Sequence, residues 1–311
     1  MSLTWLFEPF RHEFMQRALF GCALIGFTNG ALSAFIVIRR LALMADAMAH
    51  SLLPGVAVAL ILFGLVPGTL FIGALVAALL VAFGTQIISN SSRIKEDTAL
   101  GLLFACSFSL GLVLISFSRV SVNVTDYLFG NILGLGDADL WVIYFISLIV
   151  LPLLVALERP LLLTVFESSV AASQGVPVNT LKYLLMGTLV LSMISSLQAV
   201  GVILALGMLI APAATIYLLS DSFTSMFWLG GTLGCVGSCT GLLVSFWLNL
   251  PSGPCIVLVL GVIFLLAYLF SPKYGVATRL LRPRHLHEAS LARWKLNERE
   301  QTPANDNEPR R

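Results

Sequence analysis

The stretch from Arg39 to Gly55, RRLALMADAMAHSLLPG, decides the fold class of this protein. Two arginines open it, and the apolar run that follows contains only two ionisable residues, Asp46 and His50. The two lie four positions apart, so on a helix they share one face. Ionisable side chains inside a bilayer are costly and normally face a polar pathway or a partner. An Asp oxygen and a His nitrogen are also ligands of divalent transition metals, so the stretch predicts a membrane helix with a metal site.

The composition of the whole chain agrees with a membrane location. Of its 311 residues, 58% are hydrophobic and 11% are charged, whereas soluble domains carry about 25% charged residues. The apolar runs are continuous and long enough for helices that cross a bilayer, which excludes barrel strands. A net charge of +2 gives no case for nucleic-acid binding. The five cysteines lie in apolar segments and predict small core residues, with no disulfide framework.

Nine apolar segments predict an all-α polytopic membrane protein with eight to nine transmembrane helices. The segment at 200–220 contains Gly201, Gly207 and Pro212, which predict a broken helix or a partial span. The segments lie at about 18–38, 43–63, 68–89, 98–117, 139–157, 178–198, 200–220, 224–248 and 253–270.

Lys and Arg in the short loops predict the orientation. With nine spans, the basic loops at 39–40, 90–97 and 158–182 and the basic tail all lie on one side, which is the cytoplasmic side. The N-terminus is then outside. Eight spans with the N-terminus inside is the alternative.

Three regions follow from this pattern. Residues 1–17 predict an interfacial N-terminal helix, residues 18–275 a transmembrane domain, and residues 276–311 a cytoplasmic polar tail that is partly disordered. The stretch at 118–138 is too polar and Gly-rich for a span, and it predicts an external loop with a short half-buried helix.

Three G-x-x-x-G pairs predict close approach between helices. Packing within one subunit is the favoured interpretation for all of them. They are Gly26 with Gly30, Gly230 with Gly234, and Gly237 with Gly241.

The longest cytoplasmic connection before the tail, 158–182, contains a short helix-forming run from Glu167 to Gln174. Gly175 is a predicted C-cap, and Pro177 prevents continuation. The run is suited to docking in a groove of another protein, and an ordinary interfacial connector is the equal alternative. Its small residues are Ser168, Ser169, Ala171, Ala172 and Ser173.

Asp46 and His50 supply two ligands, whereas a bound transition metal takes about four to six. A two-fold axis beside this helix would double the set, so the shortage of ligands predicts a dimer. The alternative is that the two side chains only bond each other or a carbonyl. The chain has no G-x-x-x-x-G-K-[ST] motif, so if its function is driven by ATP, the ATPase is expected to be a separate partner chain.

These stretches resemble the permease subunit of ATP-binding-cassette importers for divalent metals, the ABC-3 family of manganese, zinc and iron(II) uptake. MLIAPAAT and SPKYG are more similar to the manganese/iron branch than to the zinc branch. The similar stretches are RRLALMADAMAHSLLPGVAVAL (39–60), TDYLFGNILGLGDADL (125–140), ESSVAASQGVPVNTLK (167–182), VGVILALGMLIAPAATIYLLSD (200–221) and LPSGPCIVLVLGVIFLLAYLFSPKYG (250–275).

The resemblance implies a type II-like importer permease in a bacterial cytoplasmic (inner) membrane. It implies Mn²⁺ or Fe²⁺ as transported metal at Asp46 and His50, with no permanently bound cofactor. The implied partners are a cytoplasmic ATPase, an extracytoplasmic metal-binding protein and a second permease subunit, identical or related. The implied ATPase-coupling residues are Glu167, Ser168, Ser169, Ala171, Ala172, Gln174, Gly175 and Pro177.

Other functions stay open at this stage. A zinc importer permease of the same family is one alternative, and a gradient-driven metal transporter or channel without an ATPase is another class. An intramembrane metalloprotease would need a motif such as H-E-x-x-H, which the chain lacks. The chain is therefore expected to be a transport subunit and not an enzyme.

Overall fold

A computed structural model describes residues 9–117, 132–272, 275 and 294. All regular secondary structure in these residues is helical, which confirms the all-α class. Short 3₁₀ turns lie at Pro9–Arg11 and Ile132–Gly134. The α-helices are α1 (Glu13–Arg39), α2 (Ala42–Ser51), α3 (Leu53–Phe63), α4 (Pro67–Ser91), α5 (Glu96–Phe117), α6 (Asp137–Ala156), α7 (Glu158–Phe166), α8 (Ser168–Ser173), α9 (Val178–Val200), α10 (Val202–Leu219), α11 (Phe223–Leu248) and α12 (Ser252–Phe270).

Nine helical segments among the described residues are long and apolar enough to cross a membrane, with α2 and α3 together forming one of them. This confirms the expected eight to nine spans. The predicted tail at 276–311 and most of the predicted external loop at 118–138 lie outside the described residues.

The broken span is not the one that the sequence indicated. Helix α10 is continuous through Gly207 and Pro212, so the predicted break within 200–220 was wrong, and Gly201, with a φ of +81°, separates α9 from α10. The hydroxyl of Ser33 accepts the Ala213 N–H at 3.1 Å. A neighbouring helix thus satisfies a backbone group beside the proline, which is how membrane helices tolerate proline.

The interruption falls instead at Leu52, between α2 and α3. Pro54 has no N–H to donate to the carbonyl of His50, four residues earlier. The regular i→i−4 hydrogen bonding of the helix is therefore interrupted at this point. The apolar segment predicted at 43–63 is therefore two short helices, and His50 lies in the last turn of the first.

The first span begins at Glu13, inside the region predicted as an interfacial helix, while residues 1–8 lie outside the described part. Arg17 pairs with Glu13 at 2.5 Å, one turn away, and with Asp137 at 3.3 Å. Pairs at this spacing support a helix, so the charged turn simply extends α1.

Helix α1 lies at the centre of one group of helices and packs against α6, α9, α10 and α11. A Cβ atom added to Gly26 or Gly30 would meet the backbone carbonyl of Gly234 or Gly230, respectively. Gly237 and Gly241 face side chains of α12. The G-x-x-x-G pairs therefore pack within one subunit, as the favoured interpretation held.

Buried hydrogen bonds set the orientation of α1 against its neighbours. The amide of Asn29 donates to Ser196 Oγ at 2.7 Å and accepts from Ser192 Oγ at 2.5 Å, both on α9. Thr28 donates to Ser147 on α6 at 3.0 Å. Such bonds between membrane helices are worth about 0.6–2 kcal/mol each, and they select one rotation of each helix.

Helices α3, α4 and α5 form a second group, in which Gly55 and Gly73 bring the backbones of α3 and α4 into contact. Helix α5 is the least buried of the nine spans. Helix α2 lies between the two groups, because it packs against α4 and α5 on one side and α9 and α10 on the other. The helix that carries Asp46 and His50 thus joins the two parts of the described chain.

Candidate functional site

Asp46 and His50 lie one turn apart on α2, as their spacing predicted. Asp46 Oδ1 and His50 Nε2 are 3.7 Å apart, and their side chains are 52% and 34% exposed. The separation is longer than a hydrogen bond. Two donors bonded to one metal ion at about 2.1 Å each can be at most about 4.2 Å apart, so both atoms can reach the same ion.

The opposite face of α2 anchors the pair. Met44, Ala45, Met48 and Ala49 are all 2% exposed or less. Because this face is buried among apolar side chains, Asp46 and the imidazole are held on the open side of the helix. The arrangement leaves both donor atoms accessible to an incoming ion, while the other face of the helix packs in the core.

Helix α5 supports His50 from the side. The imidazole lies 6.2 Å from the ring of Phe104 and 5.9 Å, edge-on, from the ring of Phe108. The hydroxyl of Ser107 donates to the carbonyl of Ser51 at 3.0 Å. Sequence reasoning missed these positioning residues. The spacing of two phenylalanines four positions apart was the available signal, but it does not show which helix they face.

The described residues contain no group of three or more His, Cys, Asp or Glu side chains that could hold a metal ion. Within this part of the chain, Asp46 and His50 therefore stand as a pair. Further ligands would have to be of another type or come from outside these described residues.

The short cytoplasmic helix forms almost as the sequence predicts. Helix α8 runs from Ser168 to Ser173 with Glu167 and Gln174 as caps. The N–H of Val176 donates to Ala171 O at 3.0 Å, and that of Gly175 to Ala172 O at 3.1 Å. This pair of bonds is a Schellman motif, and Gly175 has the left-handed φ of +78° that the motif requires.

Ala171 is the residue by which α8 is held, because it is fully buried while its helical neighbours are exposed. Helix α8 packs against α7 and α9. Helix α7 (Glu158–Phe166) was not predicted, because the only helix-forming run identified in this connection was Glu167 to Gln174. The other predicted coupling residues are solvent-exposed. Five of them line an open cleft with a volume of about 610 Å³: Ser168, Ser169, Ala172, Gly175 and Pro177.

The end of α8 gives a testable consequence. Gly175→Ala places a Cβ in the left-handed conformation, at a cost of about 1–2 kcal/mol, with nothing within 4 Å to clash. We expect the helix to fray and ATP-driven transport to fall severalfold at unchanged membrane abundance. Gly187→Ala in α9 is the matched control, because it too meets open space but in ordinary helical backbone. Equal transport by both variants would contradict the predicted docking role of α8.

Comparison with known proteins places the chain in a family. The ABC 3 transport family matches residues 11–271. The manganese transport system membrane protein MntC of Halalkalibacterium halodurans is 39% identical over 291 residues, which is 93% of this chain and 98% of that protein. The chelated iron transport system membrane protein YfeC of Yersinia pestis is 35% identical, covering 93% of this chain and all of that protein.

A solved structure agrees with these sequences. PsaBC from Streptococcus pneumoniae, determined in complex with a Fab, superposes with a TM-score of 0.76 at 37% identity, and the match covers 91% of this chain and 99% of that one. The helical arrangement is therefore that of an ABC transporter permease. The chain is a multi-pass membrane permease of the ABC 3 transport family, a transport component and not an enzyme.

Proposed function

We propose that this permease carries Mn²⁺ inward through a bacterial cytoplasmic membrane, with Fe²⁺ as a second substrate. The observation that carries the proposal is the half-exposed pair Asp46 and His50, whose donor atoms lie 3.7 Å apart on an anchored helix. One carboxylate and one imidazole without a thiolate suit an ion that must be released again. The metal is cargo in this proposal, and no permanently bound cofactor is needed.

The related proteins support manganese or iron as the cargo, because their names refer to manganese and iron transport. No feature of the described residues favours zinc, the alternative within the family. A gradient-driven transporter or channel is likewise disfavoured, since the relatives belong to ATP-driven importers.

Transport then requires partners. We propose a cytoplasmic ATPase that docks on α8 through the exposed coupling residues, and an extracytoplasmic protein that delivers the metal. A second permease subunit, identical or related, would complete the ligand set around a two-fold axis. Two chains would supply four protein donors, and a bound transition metal usually takes about four to six ligands.

The packing supplies a route from the ATPase to the metal. Helix α8 packs against α7 and α9, and α9 packs against α2. A displacement of α8 on ATP binding therefore reaches the Asp46/His50 helix through one intermediate helix. In the proposed alternating-access cycle, this motion exposes the pair first to the outside and then to the cytoplasm.

The test is uptake of radiolabelled Mn²⁺ into cells that express the permease together with the proposed partner ATPase. We expect uptake that Fe²⁺ inhibits more strongly than Zn²⁺, and that is lost when the phosphate-loop lysine of the ATPase is substituted. Uptake that survives inactivation of the ATPase would overturn the ATP-driven mechanism. Stronger inhibition by Zn²⁺ than by Fe²⁺ would instead indicate that zinc is the transported metal.

A further inference from the structure

Helices α3, α4 and α5 enclose a groove that the metal pair does not use. Its volume is about 710 Å³, within the range of about 300–1,000 Å³ that is usual for ligand sites. Folded proteins contain few voids larger than a water molecule, so a groove of this size is expected to be occupied. Its walls include Val58 and Phe63 of α3, Ile72 and Val76 of α4, and Leu103 and Leu110 of α5.

Close contacts between the three helices form the floor of the groove. Gly55 of α3 meets the backbone of Gly73 on α4. A Cβ atom on Gly111 of α5 would touch Leu53 and Pro54 of α3. Because backbone contacts of this kind fix the helices, the groove is formed without a ligand. The rim is open instead, and its side chains are 43–59% exposed: Val58, Ile72, Val76 and Leu110.

The polar groups that line the groove need no partner from a ligand. The hydroxyl of Thr69 donates to Val66 O at 2.9 Å, and that of Ser107 donates to Ser51 O at 3.0 Å. Cys106 adds only a thiol, which is a weak donor. No charged side chain of the described residues lines the groove. A bound water needs about two to four polar partners, so the chemistry of the lining favours an apolar ligand.

The groove has the length of one leaflet of a bilayer. It extends from Thr69 to Val81 along α4 and from Leu103 to Leu114 along α5. At about 1.5 Å per residue these distances are about 16–18 Å, and half of the hydrocarbon core is about 15 Å thick. Thr69 and Leu114 lie near the helix ends that the basic loops predict to be external. The groove therefore lies at the depth of the outer leaflet.

We propose that this groove binds one acyl chain of a phospholipid from the outer leaflet. The three helices belong to segments that can cross a membrane, so acyl chains are the apolar ligand that the open rim meets. Such a chain gains van der Waals contacts on three sides, which the lining atoms would otherwise lack. The site therefore retains a chain longer than an ordinary lipid-facing helix does.

The groove is separate from the metal pair but shares α5 with it. Phe104 faces His50, whereas Ser107 lines the groove and bonds the carbonyl of Ser51, the residue after His50. A chain in the groove thus packs behind the helix that supports the imidazole. The proposal concerns a lipid site, and it stands whichever ion the permease carries.

The test is photolabelling of the purified full-length permease in nanodiscs that contain phosphatidylcholine with a diazirine in the middle of one acyl chain. Val262 of α12 is the matched reference for Val76, because the two are 54% and 51% exposed. Both lie about 13–15 Å from the external ends of their helices. We expect at least fivefold more label around Val76 than around Val262. Label in the groove should also saturate as the probe fraction rises.

Val76→Trp narrows the groove and should lower its label at least threefold, without changing the label on α12. Val262→Trp is the matched control and should leave the label in the groove unchanged. Both positions are exposed, so both variants should fold. If Val76→Trp is not monodisperse, Leu110→Trp on the opposite wall provides the same test.

Equal label around Val76 and Val262, rising in proportion to the probe, would show ordinary lipid contact and overturn the proposal. A groove without label would overturn it too, because a protein surface such as a second copy would then cover the rim. An unchanged label in Val76→Trp would likewise place the chain elsewhere. None of these results alters the uptake expected of Asp46 and His50 variants, so the two proposals fail separately.

Discussion

Asp46→Ala and His50→Ala are each expected to lower ATP-driven manganese uptake by more than tenfold, at unchanged abundance in the membrane. Each substitution removes half of the protein ligands that one described chain offers, and a tenfold loss corresponds to only about 1.4 kcal/mol of lost interaction. Both side chains are partly exposed and lie on a helix whose other face is buried, so the fold should survive. The measurement is initial uptake of radiolabelled Mn²⁺, normalised to permease in the membrane.

The control for this experiment lies on the same helix. Leu43 is 81% exposed on α2 and has no donor atom, so Leu43→Ala should transport normally. Asp46→Asn keeps one side-chain oxygen but loses the charge, and we expect an intermediate rate. Wild-type uptake by both alanine variants would make Asp46 and His50 structural, even though the family assignment would stand.

The second large effect concerns folding. Gly234→Leu is expected to prevent accumulation of a stable permease, because a Cβ at this position would collide with the carbonyl of Gly26 and lie 3.3 Å from the Cα of Gly30. Two backbones cannot repack as side chains do, so α1 and α11 would have to separate. Overpacking typically costs about 1–3 kcal/mol, and a backbone collision lies at the upper end or beyond.

Gly261→Leu in α12 is the matched control, since a Cβ there meets nothing within 4 Å. Both variants make the same substitution in a membrane-spanning helix. The measurement is the yield of monodisperse protein after detergent extraction, together with its thermal unfolding midpoint. If the two variants behave alike, the close approach of α1 and α11 does not determine stability.

Local chemistry made part of the site predictable. The spacing of Asp46 and His50 placed them on one face of a helix before any tertiary contact was known. Likewise, Gly175 was predicted as a C-cap, and the structure shows it there with a left-handed φ of +78°. Both inferences depend on a few residues along the chain, where helix geometry alone decides the result.

The predictions of helix interruptions were wrong where contacts with neighbouring helices determine whether a helix continues. Pro212 predicted a break, but Ser33 of α1 satisfies the adjacent N–H, and α10 continues. The apolar run at 43–63 predicted one span, whereas the structure divides it into two helices at Leu52, two residues before Pro54. A proline signals a lost hydrogen bond, and only the surroundings determine whether the helix survives that loss.

By itself, the sequence determined the helical membrane class, the number of spans to within one and the position of Asp46 and His50 on one face of a helix. These follow from long apolar runs and from the high cost of ionisable groups in a bilayer. Only the tertiary structure decided that Phe104 and Phe108 flank His50, that Gly26 faces Gly234, and that α2 joins two groups of helices. Apolar residues are interchangeable in hydropathy, so the pattern along the chain says which side chains avoid water but not which helices they meet.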